Sequence, residues 1–179
     1  MEQSLTSKLK VINLFAGPGA GKSTLRAGLF FKLKSLGVSC EEVTEYAKDL
    51  TWDKNTSALS DQLFILANQN RRLQRLQGKV EWVISDSPLL LNLNYVVPAY
   101  LPKTFRELVF ELWDTYDNKN FFINRSKAYV TAGRNQTEEE AKKLDQDILD
   151  MLEAKRFRYD FVPGTIAGPG IIASTLGFK

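Results

Sequence analysis

Gly17, Gly19 and Gly21 alternate with Pro18 and Ala20 and run directly into Lys22, Ser23 and Thr24. Glycines at this spacing let the backbone turn tightly and aim successive N–H groups at one point, a concave nest for an anion. A lysine after the last glycine brings a mobile charge for the outer phosphates. The adjacent serine hydroxyl is placed to hold Mg²⁺. Upstream, Val11, Ile12, Leu14 and Phe15 are apolar; downstream, Leu25, Leu29, Leu33 and Leu36 recur at helical spacing. Strand, glycine loop and helix form the context of a phosphate-binding P-loop, and the helix start adds its positive dipole end. Ala16 stands where the motif G-x-x-x-x-G-K-[ST] has its first glycine, which is sterically allowed while its φ stays negative. The expected ligand is a nucleoside triphosphate, ATP with Mg²⁺, gripped by Gly17, Gly19, Ala20, Gly21, Lys22, Ser23 and Thr24.

The chain contains no histidine, so acid–base work must fall to carboxylates, Lys, Tyr or Cys. Two carboxylates stand out by position. Glu45 follows an apolar-containing run, Val38–Val43, and Asp86 closes the nearly continuous apolar run Val80–Asp86. A carboxylate at the end of a buried strand downstream of a P-loop is where Mg²⁺ or its waters are held, which pairs Asp86 with Ser23 as the metal-binding set. Beyond a further strand at Asn120–Asn124, the stretch 125–136 carries Arg125, Lys127 and Arg134 and reads as a short lid.

The elements that must bring these groups together follow from the same patterning. Gly37 ends the first helix, and Leu59–Gln77 reads as one long helix with Leu59, Leu63, Leu66, Leu73 and Leu76 inward. Asn70 falls in that stripe with Gln62 and Gln69 on its shoulder, and such amides must find partners in loop backbone or in a polar ligand. Asp53–Ser60 and Leu89–Pro102 read as irregular, the latter packed over the sheet. Phe105, Leu108, Leu112 and Tyr116 mark another helix. Thr137 with Glu140 forms a capping box opening a helix with Ala141, Leu144, Ile148 and Leu152 inward. Tyr159–Pro163 is a fifth strand, and the tail from Gly164 carries Ile171 and Ile172 toward the nucleotide base. Strands alternating with helices imply an α/β fold, a three-layer αβα sandwich around a five-stranded parallel sheet. Lys22, Ser23, Glu45, Asp86 and Arg125 then share the edge at the strands' carboxyl ends, where ligands gather.

The 179 residues fit a single domain, and 44% apolar with 25% charged residues is ordinary globular composition. No apolar run approaches the roughly 18 residues of a membrane span, and the first ten residues lack a signal peptide's apolar core. A lone Cys40 provides no disulfide framework and fits a reducing cytoplasm. The formal charge of +3 is a weak sign of anionic partners. Its densest clusters, Arg71–Arg75 and Lys155–Arg158, both read as helical.

Motor and AAA-type ATPases usually follow the strand-end Asp with a water-polarising Glu, whereas Ser87 and Pro88 follow here; Asn118-Lys119-Asn120-Phe121 lacks the aspartate of a guanine-reading Asn-Lys-x-Asp. Both departures favour phosphoryl transfer over hydrolysis. The order of P-loop, Glu45, Asp86 and an arginine-bearing loop resembles the P-loop nucleoside and nucleotide kinases, in particular the deoxynucleoside, thymidylate and nicotinamide-riboside kinase-like subgroup. The resemblance spans about residues 8 to 163. It implies that Glu45 acts as base on the acceptor hydroxyl, that Arg125 and Arg134 close over the migrating phosphoryl group, and that Gln62 or Gln69 reads the base. The family's acidic–Arg pair falls on Asp86-Ser87, without the arginine. Tyr46, Trp52 and the Leu89–Pro98 segment would form a slot for a flat ring. The expected activity is transfer of the γ-phosphoryl group of ATP to a nucleoside or nucleotide. A kinase acting on nucleic acid and a regulatory P-loop NTPase remain open, as does a homodimer.

Overall fold

The computed structural model describes residues 7–96, 103–126, 128–130 and 136–179. Its elements run β1 (Lys10–Phe15), α1 (Lys22–Ser35), β2 (Cys40–Val43), α2 (Tyr46–Trp52), α3 (Thr56–Ser60), α4 (Gln62–Gln74) and β3 (Trp82–Ser85). A 3₁₀ segment, Leu89–Asn94, precedes α5 (Lys103–Asp114), β4 (Asp117–Asn124), α6 (Glu138–Ala154), β5 (Asp160–Pro163) and α7 (Gly168–Thr175). The five strands form one sheet in the order β2-β3-β1-β4-β5, with every pairing parallel. The strand that feeds the glycine loop is therefore central, and it is flanked by the strands that lead to Asp86 and Arg125.

Both faces of the sheet are covered, as an all-parallel sheet requires. Alternate residues of β1 serve the two sides. Val11 and Phe15 join Leu66, Leu90, Val109, Trp113 and Ile148 beneath α4, α5, α6 and the 3₁₀ segment. Ile12 and Leu14 join Leu25, Leu29, Leu33, Ile84, Ile123 and Ile172 beneath α1 and α7. Asn13 points to the first side and is 1% exposed. Its amide donates to Oδ1 of Asn118 at 2.9 Å and of Asn120 at 3.2 Å, tying β1 to β4 through a buried polar cluster. Among the described residues no helix is long and apolar enough to cross a membrane.

Several local expectations shift. The long helix expected over Leu59–Gln77 is broken, because Asn55 caps α3 by accepting from Ala58 N and Asp61 caps α4 by accepting from Phe64 N. Two capping side chains so close together restart the helix rather than extend it. The buried face of α4 contains Ile65, Leu66, Gln69, Asn70 and Leu73, while Leu63 is exposed. In α5 the inward stripe is Phe105, Val109 and Trp113 instead of Leu108 and Leu112. The stretch after β3 winds into a 3₁₀ segment because Leu89, Leu90 and Leu91 can all be buried there. The capping box at Thr137 and Glu140 forms as expected, with both reciprocal bonds present.

The tail begins beside the glycine loop, where a Cβ on Gly164 would lie 2.6 Å from Ala20 O. It forms α7, whose Ile172 is fully buried against α1. Gly168 starts α7 where a Cβ would lie 2.6 Å from Pro163 O and 3.0 Å from Leu25 Cδ2. We expect Gly168→Ala to cost about 1–3 kcal/mol through overpacking, read as a lower urea midpoint at unchanged m-value.

Candidate active site

The glycine loop joins β1 to α1 and has the shape of an anion nest. Gly19 and Gly21 take φ of +81° and +104°, values that side-chain-bearing residues rarely adopt. Gly21 occupies the N-cap of α1 without a side-chain cap, and the first turn of α1 contains no acidic residue. The helix's leading amides and its dipole are thus left for a ligand anion. Ala16 is 1% exposed, and among the described residues only Lys54 and Arg156 are non-glycines with positive φ, so the motif's missing first glycine causes no strain. Lys22 Nζ folds back to donate to Ala16 O at 2.6 Å and Gly17 O at 3.0 Å.

Acidic groups converge on this lysine. Burial lowers the affinity of Lys22 for its proton, while Glu45, Asp86 and Asp145 oppose that effect and Arg125 reinforces it. Glu45 sits at the N-cap of α2, just after β2. Desolvation raises its pKa above the ordinary carboxylate range, the nearby charge of Lys22 lowers it, and Asp86 pushes it up again. Asp86, at the end of β3, is 2% exposed. Arg26 of α1 bridges it and Glu42, with Nε 3.2 Å from Asp86 Oδ2 and Nη1 2.5 Å from Glu42 Oε2. The other oxygen, Asp86 Oδ1, is buried without a hydrogen-bond partner.

A cavity of about 300 Å³ opens over the loop. It is lined by Gly19, Gly21, Lys22, Ser23 and Thr24 from the loop and α1, by Glu45, Lys48 and Thr51 around α2, by Gln62 of α4, and by Leu91, Asn92 and Tyr95. Asn92 Nδ2 donates to Leu89 O at 2.9 Å, while its buried Oδ1 has no partner. Burial, then the charge of Glu45, raises the pKa of Tyr95 and keeps its phenol protonated. The described residues contain no group of three or more His, Cys, Asp and Glu able to hold a metal unaided. Ser23 lines the cavity, whereas Asp86 is buried behind it and is not part of the lining. The Ser23 hydroxyl and the unsatisfied Asp86 oxygen are hard oxygen donors of the kind Mg²⁺ takes, with substrate phosphates and water for the rest.

Not every residue singled out by sequence reaches the cavity. Gln69 is fully buried and spends its amide on the β2–α2 turn, accepting from Tyr46 N at 3.0 Å and donating to Thr44 O at 3.2 Å. It holds the backbone on both sides of Glu45, whereas Gln62 lines the cavity. Tyr46 packs its ring edge-on to Phe64 and under Arg72, and Trp52 is 63% exposed; neither lines the cavity. Arg125 is committed to Asp145, Pro18 O and Ala141 O and is also off the cavity wall. Arg134 lies outside the described residues. Residues that patterning alone missed include Arg26, Lys48, Thr51 and Asp145. Leu91, Asn92 and Tyr95, within the Leu89–Pro98 segment expected to form a slot, do line the cavity.

The chain matches the AAA domain family AAA_28 over residues 11–167, nearly its whole length. The chain belongs to that family. No curated protein matches it in sequence. Among solved structures, deoxyadenosine kinase from M. mycoides with bound dATP aligns with a TM-score of 0.53 at 18% identity, covering 93% of this chain and 98% of that one. The same enzyme with products dCMP and a flexible dCDP aligns with a TM-score of 0.55 at 17% identity over the same shares. At such identities the likeness establishes the α/β P-loop fold.

In this AAA_28 chain the basic clusters are partly consumed by the fold. Arg72 binds Thr44 and pairs with Asp49 at 2.6 Å, and Lys155 lies over the Phe110 ring. Lys155–Arg158 also falls beyond the end of α6, where Arg156 adopts φ +54°, rather than on a helix. Replacing Gln69 by Leu strands the Tyr46 N–H beside Glu45 and leaves Thr44 O only its bond from Arg72. It should cost about 1–3 kcal/mol, measurable by denaturant unfolding, whereas Gln62→Leu should act on ligand affinity.

Proposed function

We propose that this chain is a magnesium-dependent phosphotransferase that moves the γ-phosphoryl group of ATP to a nucleoside or nucleotide acceptor, as a single catalytic domain. The observation that carries this reading is that Glu45 lines the same cavity as Lys22 and Ser23. A triphosphate on the loop and an acceptor against Glu45 would meet in that space.

Phosphoryl transfer is mostly positioning and charge stabilisation. The loop amides and Lys22 take the β- and γ-phosphates, with Lys22 exchanging its two loop carbonyls for phosphate oxygens. Glu45 accepts the acceptor's proton as its oxygen bonds to the γ-phosphorus, and the bond to the β–γ bridging oxygen breaks to release ADP. Ser23 and Asp86 would hold Mg²⁺, which would supply charge neutralisation for the phosphates. The resemblance assigns Arg134 to the migrating group; Arg125 acts from the loop's outer side. Gln62, Asn92 and Tyr95 supply neutral polar contacts for the acceptor, with the unpartnered Asn92 Oδ1 suited to an N–H or O–H donor. Ser87, on the cavity wall after Asp86, cannot polarise water as a glutamate does, which supports transfer over hydrolysis.

Incubation with γ-labelled ATP, Mg²⁺ and a panel of nucleosides and nucleotides should label an acceptor. Lys22→Ala should abolish labelling with the melting transition retained; labelling that persists in Lys22→Ala, or no acceptor labelled by the wild type, would overturn the reading.

The pH dependence follows from Glu45. A base must be deprotonated, and its pKa is raised, so kcat/KM should fall as pH drops through a value above the ordinary carboxylate range. Glu45→Gln should flatten that limb and lower kcat by about 10²–10⁴-fold.

A further inference from the structure

Asp145 lies on α6 one turn beyond Ala141, and both face the outer side of the glycine loop. Gly17 N donates to Asp145 Oδ1 at 2.5 Å, and Arg125 Nε pairs with Asp145 Oδ2. The same arginine continues to the loop, donating through Nη1 to Pro18 O at 2.7 Å and through Nη2 to Ala141 O at 3.2 Å. Loop, helix and arginine thus form a closed hydrogen-bonded ring, with the Asp145 and Arg125 side chains 15% and 16% exposed. A Cβ on Gly17 would lie 2.6 Å from Ala141 O, so the loop already touches α6.

A carboxylate is an unfavourable neighbour for a site that must receive a triphosphate. Its presence makes sense if it holds the loop and its charge is cancelled. Asp145 fixes the Ala16–Gly17 peptide plane through the Gly17 N–H, and the carbonyl of that plane, Ala16 O, faces the Lys22 ammonium together with Gly17 O of the next. Arg125 supplies the cancelling charge from the same carboxylate.

We propose that Asp145 is a positioning residue that braces the phosphate loop in its anion-receiving shape, with Arg125 as its link and its counter-charge. This rests on the phosphotransferase reading only for its functional purpose, since the brace is read through loop protection and ATP affinity.

The test combines amide hydrogen exchange with MgATP calorimetry on the full chain. In Asp145→Ala, exchange at Gly17 should accelerate by about 10-fold or more and the ATP Kd should rise by about 10- to 100-fold, the range for a charged hydrogen bond. Exchange at Ile12 in β1 should stay unchanged, which also reports that the variant is folded. Arg125→Gln leaves a bare carboxylate beside the phosphates and should weaken ATP binding. Adding Asp145→Asn, which keeps an acceptor oxygen without its charge, should restore part of that loss. A role confined to stability predicts no such rescue. Unchanged Gly17 exchange, unchanged ATP affinity in Asp145→Ala, or additive losses in the double variant would each overturn the brace. Wild-type protein that binds MgATP but labels no acceptor would overturn the transferase reading and leave the brace to these measurements.

Discussion

A loop that receives a triphosphate must keep its amides pointing inward and unspent. The folded chain meets that constraint by satisfying the loop's other groups from outside. The carbonyls of Ala16 and Gly17 go to Lys22, that of Pro18 goes to Arg125, and the Gly17 amide goes to Asp145. After β5, Gly164 comes so close that a Cβ there would lie 2.6 Å from Ala20 O. Each contact comes from a different element, so the empty-handed amides at the start of α1 are a property of the whole scaffold. A side-chain cap at Gly21 would be locally favourable and is absent.

The same logic governs the charges. A parallel sheet buried on both faces leaves its strand ends as the place where polar groups can gather, and here Glu45, Asp86, Arg26 and Lys22 gather within each other's fields. Arg26 neutralises one oxygen of Asp86 and leaves the other unsatisfied. Opposing shifts on Glu45 and Lys22 arise because burial disfavours both charges while their proximity restores them. The site therefore holds a carboxylate with raised proton affinity beside a lysine with lowered affinity.

The fold was largely legible in the sequence because its determinants are local and periodic: the glycine loop between β1 and α1, the capping box at Thr137, and apolar runs spaced for parallel strands. Where the reading slipped, two local signals competed. Asp61 looked like part of a helix and is instead a cap; Leu108 and Leu112 matched a stripe that Val109 and Trp113 fill more completely. Candidate positions were legible where chemistry is written along the chain, as in Gly19, Gly21, Lys22, Ser23 and Thr24, and at a strand end such as Glu45, all of which line one cavity. Asp145 and Arg26 were not, because each acquires its meaning from a neighbour that only folding supplies. Gln69 shows the reverse case, a residue conspicuous by position whose amide is consumed in shaping the turn around Glu45.

The buried amides of Asn13, Asn118 and Asn120 carry a consequence for how the loop is aimed. Apolar strands alone would tolerate sliding along one another in two-residue steps with their inward faces preserved. Asn13 can meet Asn118 and Asn120 only when it stands opposite Asn120, the alignment that also sets Phe15 beside Phe122. The trio thus works as a ruler inside the hydrophobic interior. It sets the height at which the first crossing releases Ala16 relative to the point where its neighbour releases Arg125, and so the distance over which guanidinium and phosphate cradle are held.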